Sequence, residues 1–218
     1  MIQRPDGCQG CPLNTKSVAG FCPDKVSPNP KYLFLGEAPG KNEIVKGEPF
    51  IGTAGFVLWN WLVRAVPQLQ VALEKNEVTV ANTLRCLPPE IQGRPYPRGQ
   101  EKLDAEAYCR QYDQPMDGVE TIVLFGETPQ RLLFKEDLEA EDAVSRSLGR
   151  ELKGVTGRIG RVIERDGRRY VFAPHPAYIL RQPALVGQGQ EALRIAINAD
   201  KVLEPQILHW DDAIGELT

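Results

Sequence analysis

The sequence predicts a three-layer αβα fold around a central, mostly parallel four-stranded sheet, and three observations carry that prediction. The chain has 218 residues, 42% of them hydrophobic, which is enough for one full core and too few for two. Four short apolar, β-rich runs stand out: KYLFLG (31–36), EVTVAN (77–82), TIVLFG (121–126) and RYVFAPH (169–175). Helical patterns separate them, and alternating strands and helices give a parallel sheet buried on both faces. The whole chain, 1–218, is therefore expected to be a single domain.

The start, MIQRPDGCQGCPL, has no apolar leader, and no later run approaches the roughly 18 apolar residues that a membrane span needs. A cytoplasmic, monomeric protein with no membrane partner is expected. After the first strand, AGFVLWNWLVRAV (54–66) carries Phe56, Leu58, Trp59 and Leu62 at helical spacing, and its aromatics read as core. PPEIQGRPYPRG (88–99) is a Pro/Gly-rich loop, and EKLDAEAYCRQYD (101–113) reads as a helix. TPQRLLF (128–134) reads as another, with Thr128 as N-cap and Pro129 at the first helical position. The polar stretch 135–157 resembles an insertion. RVIERDGRRYVF predicts a hairpin turned at Asp166-Gly167. EALRIAINADKVLEP predicts a C-terminal helix, within a helix-and-tail segment spanning 188–218.

The formal charge of −3 exerts no global pull on nucleic acid. From Arg146 to Arg181, however, nine basic residues face three acidic ones (Glu151, Glu164, Asp166), and a local basic face of this kind suits a phosphate backbone.

In an open α/β sheet, ligands bind beyond the carboxyl ends of the strands. The first strand ends at Glu37, the second at Asn82 and the last at His175, so three polar groups of different chemistry should converge. Gly36 and Gly40 flank Glu37 and let the backbone turn tightly, and Phe50 follows between Pro49 and Gly52. Of five cysteines, Cys8 and Cys11 form a C-x-x-C pair, with Cys86 and Cys109 downstream and Cys22 left over as a spare thiol. Four thiolates suit zinc as well as an iron-sulfur cluster.

GEAPGKNEIVKGEPFIGTAG, VANTLRCLPP and APHPAYILRQP, with Cys8, Cys11, Cys86 and Cys109 placed around them, resemble the family 4, iron-sulfur uracil-DNA glycosylases over residues 8–183. The resemblance implies an enzyme that flips uracil out of single- or double-stranded DNA and hydrolyses its glycosidic bond, leaving an abasic site. It implies a catalytic role for Glu37 and His175, and base binding by Gly36, Ala38, Glu43, Phe50 and Asn82. Within it, Phe50 would stack on the base, Asn82 would read N3–H and O4, and Glu43 would exclude the thymine methyl. Tyr178, Leu180 and Arg181 would lie in a wedge loop contacting DNA, and the four cysteines would hold a structural [4Fe-4S] cluster.

Two departures bear on the substrate. Glu43-Ile44 stands where the family commonly has Glu-Asp, and the interval from Cys86 to Cys109 is long. A glycosylase for a C5-modified pyrimidine, for example in defence against modified phage DNA, is therefore a second reading, and a catalytically silent iron-sulfur DNA-binding protein a third. Relatives that trap their product covalently carry a histidine in an inserted basic loop; this chain has only His175 and His209.

Overall fold

The computed structural model describes residues 2–14, 20–88, 99–113, 116–149 and 154–197. The four apolar runs form strands β1 (Tyr32–Gly36), β2 (Val78–Asn82), β3 (Thr121–Phe125) and β5 (Arg168–Ala173), mutually parallel. The sheet has five strands rather than four, because the first arm of the hairpin also joins it: β4 (Val162–Arg165) pairs antiparallel with β5 at one edge. Asp166 and Gly167 both take positive φ, 52° and 71°, the geometry that matches a two-residue turn to the twist of its strands.

Side chains alternate across the sheet and build a core on each face. Phe34, Val80, Val123, Phe125 and Val171 point to one side and pack with Val57, Leu58, Leu62, Leu69, Ile179 and Leu193. These come from the segment after helix α2 (Thr53–Phe56) and from helices α3 (Pro67–Glu74), α6 (Pro176–Arg181) and α7 (Val186–Ile197). Leu33, Ala81, Ile122, Leu124 and Phe172 point to the other side, against Phe134 and Leu138 of α5 (Glu127–Ser147). The three layers follow from that alternation. Among the described residues, no helix is long and apolar enough to cross a membrane.

Several helices differ from expectation. The 54–66 pattern is helical but irregular, passing from α2 into a π-helical turn (Val57–Leu62) and a 3-10 turn (Val63–Ala65). Gly126, not Thr128, caps α5, so Pro129 sits at its third position. The same helix runs on through 135–147, kinked at Phe134; the predicted insertion thus begins as regular helix. α7 starts at Val186, earlier than expected, and the tail from 198 lies outside the described residues, as does the core of the 88–99 loop. Two helices, α1 (Lys41–Lys46) and α3, lie where no element was expected.

Among the described residues of the basic run, three arginines are paired with acids of α5. Arg158 pairs with Asp142 at 2.5 Å and Glu141 at 3.5 Å, Arg161 with Glu141 at 2.5 Å, and Arg165 with Asp137 at 2.7 Å. The acids come from the second half of α5. Polar helix and basic hairpin therefore neutralise each other, and Arg158, with a side chain only 4% exposed, is a structural ion.

Candidate active site at the strand ends

The strand order β2-β1-β3-β5-β4 makes the chain step outward from β1 to β2 and then cross back to β3. The carboxyl ends of β1 and β3 are thus the topological switch point where a crevice opens. Read across the sheet, the strand ends present Asn82, Gly36-Glu37, Phe125-Gly126 and, two residues beyond β5, His175.

Glu37 is fixed through its backbone. Its carbonyl accepts from Leu84 N at 2.9 Å and Thr83 Oγ1 at 2.8 Å, while Thr83 N donates to Gly36 O at 3.0 Å. Its carboxylate is held as well: Lys102 of α4 (Gln100–Cys109) places Nζ 2.7 Å from Glu37 Oε1 and 2.7 Å from Thr128 Oγ1. Lys102 is a residue that sequence reasoning missed. The one available signal was its i,i+4 spacing to Glu106, whose Oε1 lies 3.9 Å from the ammonium. Glu106 is buried, its Oε1 makes no hydrogen bond in the structure, and burial lifts its carboxyl to about 7 against the pull of Lys102.

Phe50 is not displayed to solvent. It takes φ +55° and is 4% exposed, with its ring 6.1 Å from that of Phe125 and 6.2 Å from that of His175. A positive φ in a bulky residue is strained; Trp59 Nε1 helps to hold it by donating to Phe50 O at 2.8 Å. Gly36 makes room for the ring: a Cβ there would stand 2.5 Å from Phe50 Cζ and 2.6 Å from Asn82 Oδ1. One missing side chain thus brings Phe50 and the buried Asn82 together against the backbone of β1.

His175 is the N-cap of α6, and its Nδ1 accepts from Ala177 N at 3.1 Å. That bond leaves the proton of the neutral ring on Nε2, which can only donate. Burial of the imidazole, helped by Arg181 and opposed by Glu37, lowers its pKa to about 4. The ring is therefore neutral near pH 7.

Glu43 is buried, and its Oε1 accepts from Gly52 N at 2.8 Å, tying α1 to the turn that carries Phe50. Ile44 beside it is core. Ala38 is half-buried and packs toward the cysteines. The predicted wedge loop is the helix α6: Ile179 is fully buried, Leu180 is 38% exposed, and Arg181 lies over the ring of the half-buried Tyr178 at 5.7 Å.

Three of the four cysteines come together in one cluster. Cys11, Cys86 and Cys109 share one buried cluster with Leu13, Leu84 and Ala105, and Cys8 Sγ is 3.3 Å from the Tyr112 hydroxyl. Burial pushes the Cys86 thiol up to about 12 against the pull of Arg4, and the charges of the other three cysteines add to the rise. Such thiols are poor ligands until a cation offsets their charge, and four of them are the soft donor set that an iron-sulfur or zinc centre requires. In the arrangement seen, no group of three or more His, Cys, Asp or Glu among the described residues is set to hold a metal ion. Next to the cluster, Arg85 makes a two-pronged pair with Asp24 (3.1 and 2.7 Å) and donates to Cys109 O at 3.1 Å, tying the N-terminal segment to α4. Cys22 is buried, in line with a spare thiol.

A cavity of about 380 Å3 lies elsewhere, at the outer side of β2 among Trp59, Val63, Leu73 and Val80. No carboxylate or imidazole lines it, so the chemistry points to the strand ends.

Comparison with known proteins identifies the family. The chain is 30% identical to a type-4 uracil-DNA glycosylase of Archaeoglobus fulgidus over 181 residues, 82% of this chain and 80% of that protein. It is 28% identical to a type-4 uracil-DNA glycosylase of Pyrobaculum aerophilum, over 91% of this chain and 93% of the other. The profile of the Uracil DNA glycosylase superfamily matches residues 23–200, a span that runs through every strand end described above, and the chain belongs to that superfamily.

Proposed function

We propose that this protein excises uracil from DNA by hydrolysing its N-glycosidic bond. The observation that carries the reading is the convergence of Asn82, Glu37 and a donor-only His175 on one switch-point crevice, with Phe50 beside them.

Each group has a task. The Asn82 amide can accept from uracil N3–H and donate to O4; cytosine presents the reverse polarity and would leave both groups unpaired. As the C1′–N1 bond breaks, its electron pair moves onto the base and negative charge collects at O2, where His175 Nε2–H donates. A neutral imidazole suits this task because it need not surrender its proton. Positive charge grows on the sugar, and Glu37 both stabilises it and orients the water whose oxygen bonds to C1′. The water proton passes to the carboxylate, and the base leaves as the uracil anion, held by the His175 hydrogen bond until it takes a proton from solvent. Tyr178, Leu180 and Arg181 on α6 lie on the helix that His175 caps, and we assign them to the DNA duplex, with Leu180 filling the gap left by the flipped base.

Asn82→Asp tests the reading step. On matched oligonucleotides carrying one uracil, thymine, cytosine or C5-modified pyrimidine, followed by alkali, the wild type should cut at uracil. The variant should lose roughly 1–3 kcal/mol of discrimination against cytosine. Wild-type cutting only at a modified base would move the substrate, and unchanged selectivity in the variant would remove Asn82 from the reading role.

We further assign Cys8, Cys11, Cys86 and Cys109 to a [4Fe-4S] cluster. The family resemblance and the shared buried cluster of Cys11, Cys86 and Cys109 support it. Bound there, the cluster would supply a structural cross-link rather than chemistry, pinning the N-terminal segment to α4. Purified protein should show a broad visible absorbance, and Cys8→Ala should lose it and melt earlier while the chemical step stays within a few-fold. A colourless protein with stoichiometric zinc would replace the cluster with zinc.

A further inference from the structure

We propose that Lys102 is the positioning residue for Glu37, orienting its carboxylate so that one oxygen is committed to the ammonium and the other to the attacking water. The inference deepens the excision reading and rests on it.

The geometry is specific. Lys102 reaches from α4 to two strand ends at once, 2.7 Å to Glu37 Oε1 after β1 and 2.7 Å to Thr128 Oγ1 in the first turn of α5. Two of its three protons are thereby directed, and the Thr128 hydroxyl stops the ammonium from swinging with the carboxylate. The Lys102 side chain is 25% exposed and that of Glu37 29%, so the pair sits at the mouth of the crevice, half withdrawn from water. An ion pair in that setting contributes little to stability. Its value lies in direction, since misplacing a reacting group by about 1 Å can cost about 100-fold in rate.

Glu106 offers the ammonium a second carboxylate, which it approaches without bonding. Its Oε1 is buried, makes no hydrogen bond and lies 3.9 Å from Lys102 Nζ. The lysine therefore bonds a partly exposed carboxylate and only approaches a buried one. A residue serving fold stability alone would close on the buried acid, whose isolation is the costlier defect. Instead the ammonium is spent on the two acceptors that line the crevice.

The test compares wild type, Lys102→Met, Lys102→Arg and the double variant Lys102→Met with Glu106→Gln, which avoids leaving a buried acid alone. Single-turnover excision of uracil is measured at saturating enzyme, alongside affinity for an oligonucleotide with a non-cleavable uracil analogue and the melting temperature. The rate should fall about 10- to 100-fold in Lys102→Met and in the double variant, with affinity within about twofold. Lys102→Arg should recover most of the rate. If Lys102→Met cuts as fast as wild type, or if the loss appears in affinity and its salt dependence instead, the positioning role is overturned and a phosphate contact replaces it. A rate loss that merely follows the melting temperature in both Met variants overturns it too. A silent wild type overturns the excision reading itself, whereas an active wild type with an unaffected Lys102→Met overturns the positioning role alone.

Discussion

Glu37→Gln should abolish uracil excision to within about 10²–10⁴-fold of wild type while leaving the fold intact, the scale set by losing a positioned base. Glutamine keeps the shape and both heteroatoms. It removes the charge that stabilises the sugar cation and the lone pair that takes the water proton. The backbone bonds that place residue 37, from Thr83 and Leu84, do not involve the carboxylate. The lost ion pair with Lys102 joins two partly exposed side chains, so its contribution to stability is under about 1 kcal/mol. Single-turnover rate and thermal melting, measured side by side, separate the two effects: a large rate loss with an unchanged melting temperature is expected. A Gln variant that cuts at more than about one-tenth of the wild-type rate would remove Glu37 from the chemistry.

His175→Ala should slow excision by about 10²–10³-fold, the usual consequence of removing one donor aimed at developing negative charge. Alanine also deletes the α6 cap, worth about 0.5–2 kcal/mol. His175→Ser separates the roles, since serine caps helices well and cannot reach the base: it should recover stability without recovering rate. The pH dependence has a defined sign. With its folded pKa lowered to about 4, His175 stays neutral over the neutral range, and its protonation should not limit the rate until pH nears 4. In the unfolded chain the same group titrates near 6.5, so between about 4 and 6.5 the unfolded state binds more protons. Stability contributed by this group is complete above that window and declines as pH falls through it. Glu106, raised from 4.5 to about 7, acts in the opposite sense, and its contribution is lost as pH rises through 4.5 to 7. Melting His175→Ser beside wild type isolates the histidine: the variant should lose less stability than wild type as pH falls from 6.5 to 4.

What the sequence made legible follows from how its elements are written. Strands of a parallel sheet are apolar on both faces, so KYLFLG, EVTVAN, TIVLFG and RYVFAPH were unmistakable, and their ends led to Glu37, Asn82 and His175 without any side-chain geometry. The edge strand β4 was visible only as one arm of a hairpin, because a half-exposed strand such as Val162–Arg165 carries no continuous apolar run. Long-range pairing was illegible. Lys102 meets partners 65 and 26 residues away, and no local pattern announces such a contact. The same blindness made Arg158, Arg161 and Arg165 look available for DNA, when their acids lie 16 to 28 residues upstream on α5. Phe50 was singled out from the sequence but expected on display. Its backbone turns the ring inward at a positive φ, which residue type alone would have argued against. The histidine tautomer, too, depends on a bond to Ala177 that only coordinates reveal.

The central claim is hydrolytic excision, and the most direct measurement quantifies both products of one turnover. A duplex and a single-stranded oligonucleotide, each with one radiolabelled uracil, are incubated with excess protein; free base and abasic sites are then counted, and denaturing gels are searched for protein bound to DNA. Equal amounts of free uracil and abasic site, with no adduct and none of either from Glu37→Gln, is the expected result. DNA that is bound but keeps its uracil, or free base that is released just as well by Glu37→Gln, would contradict the account.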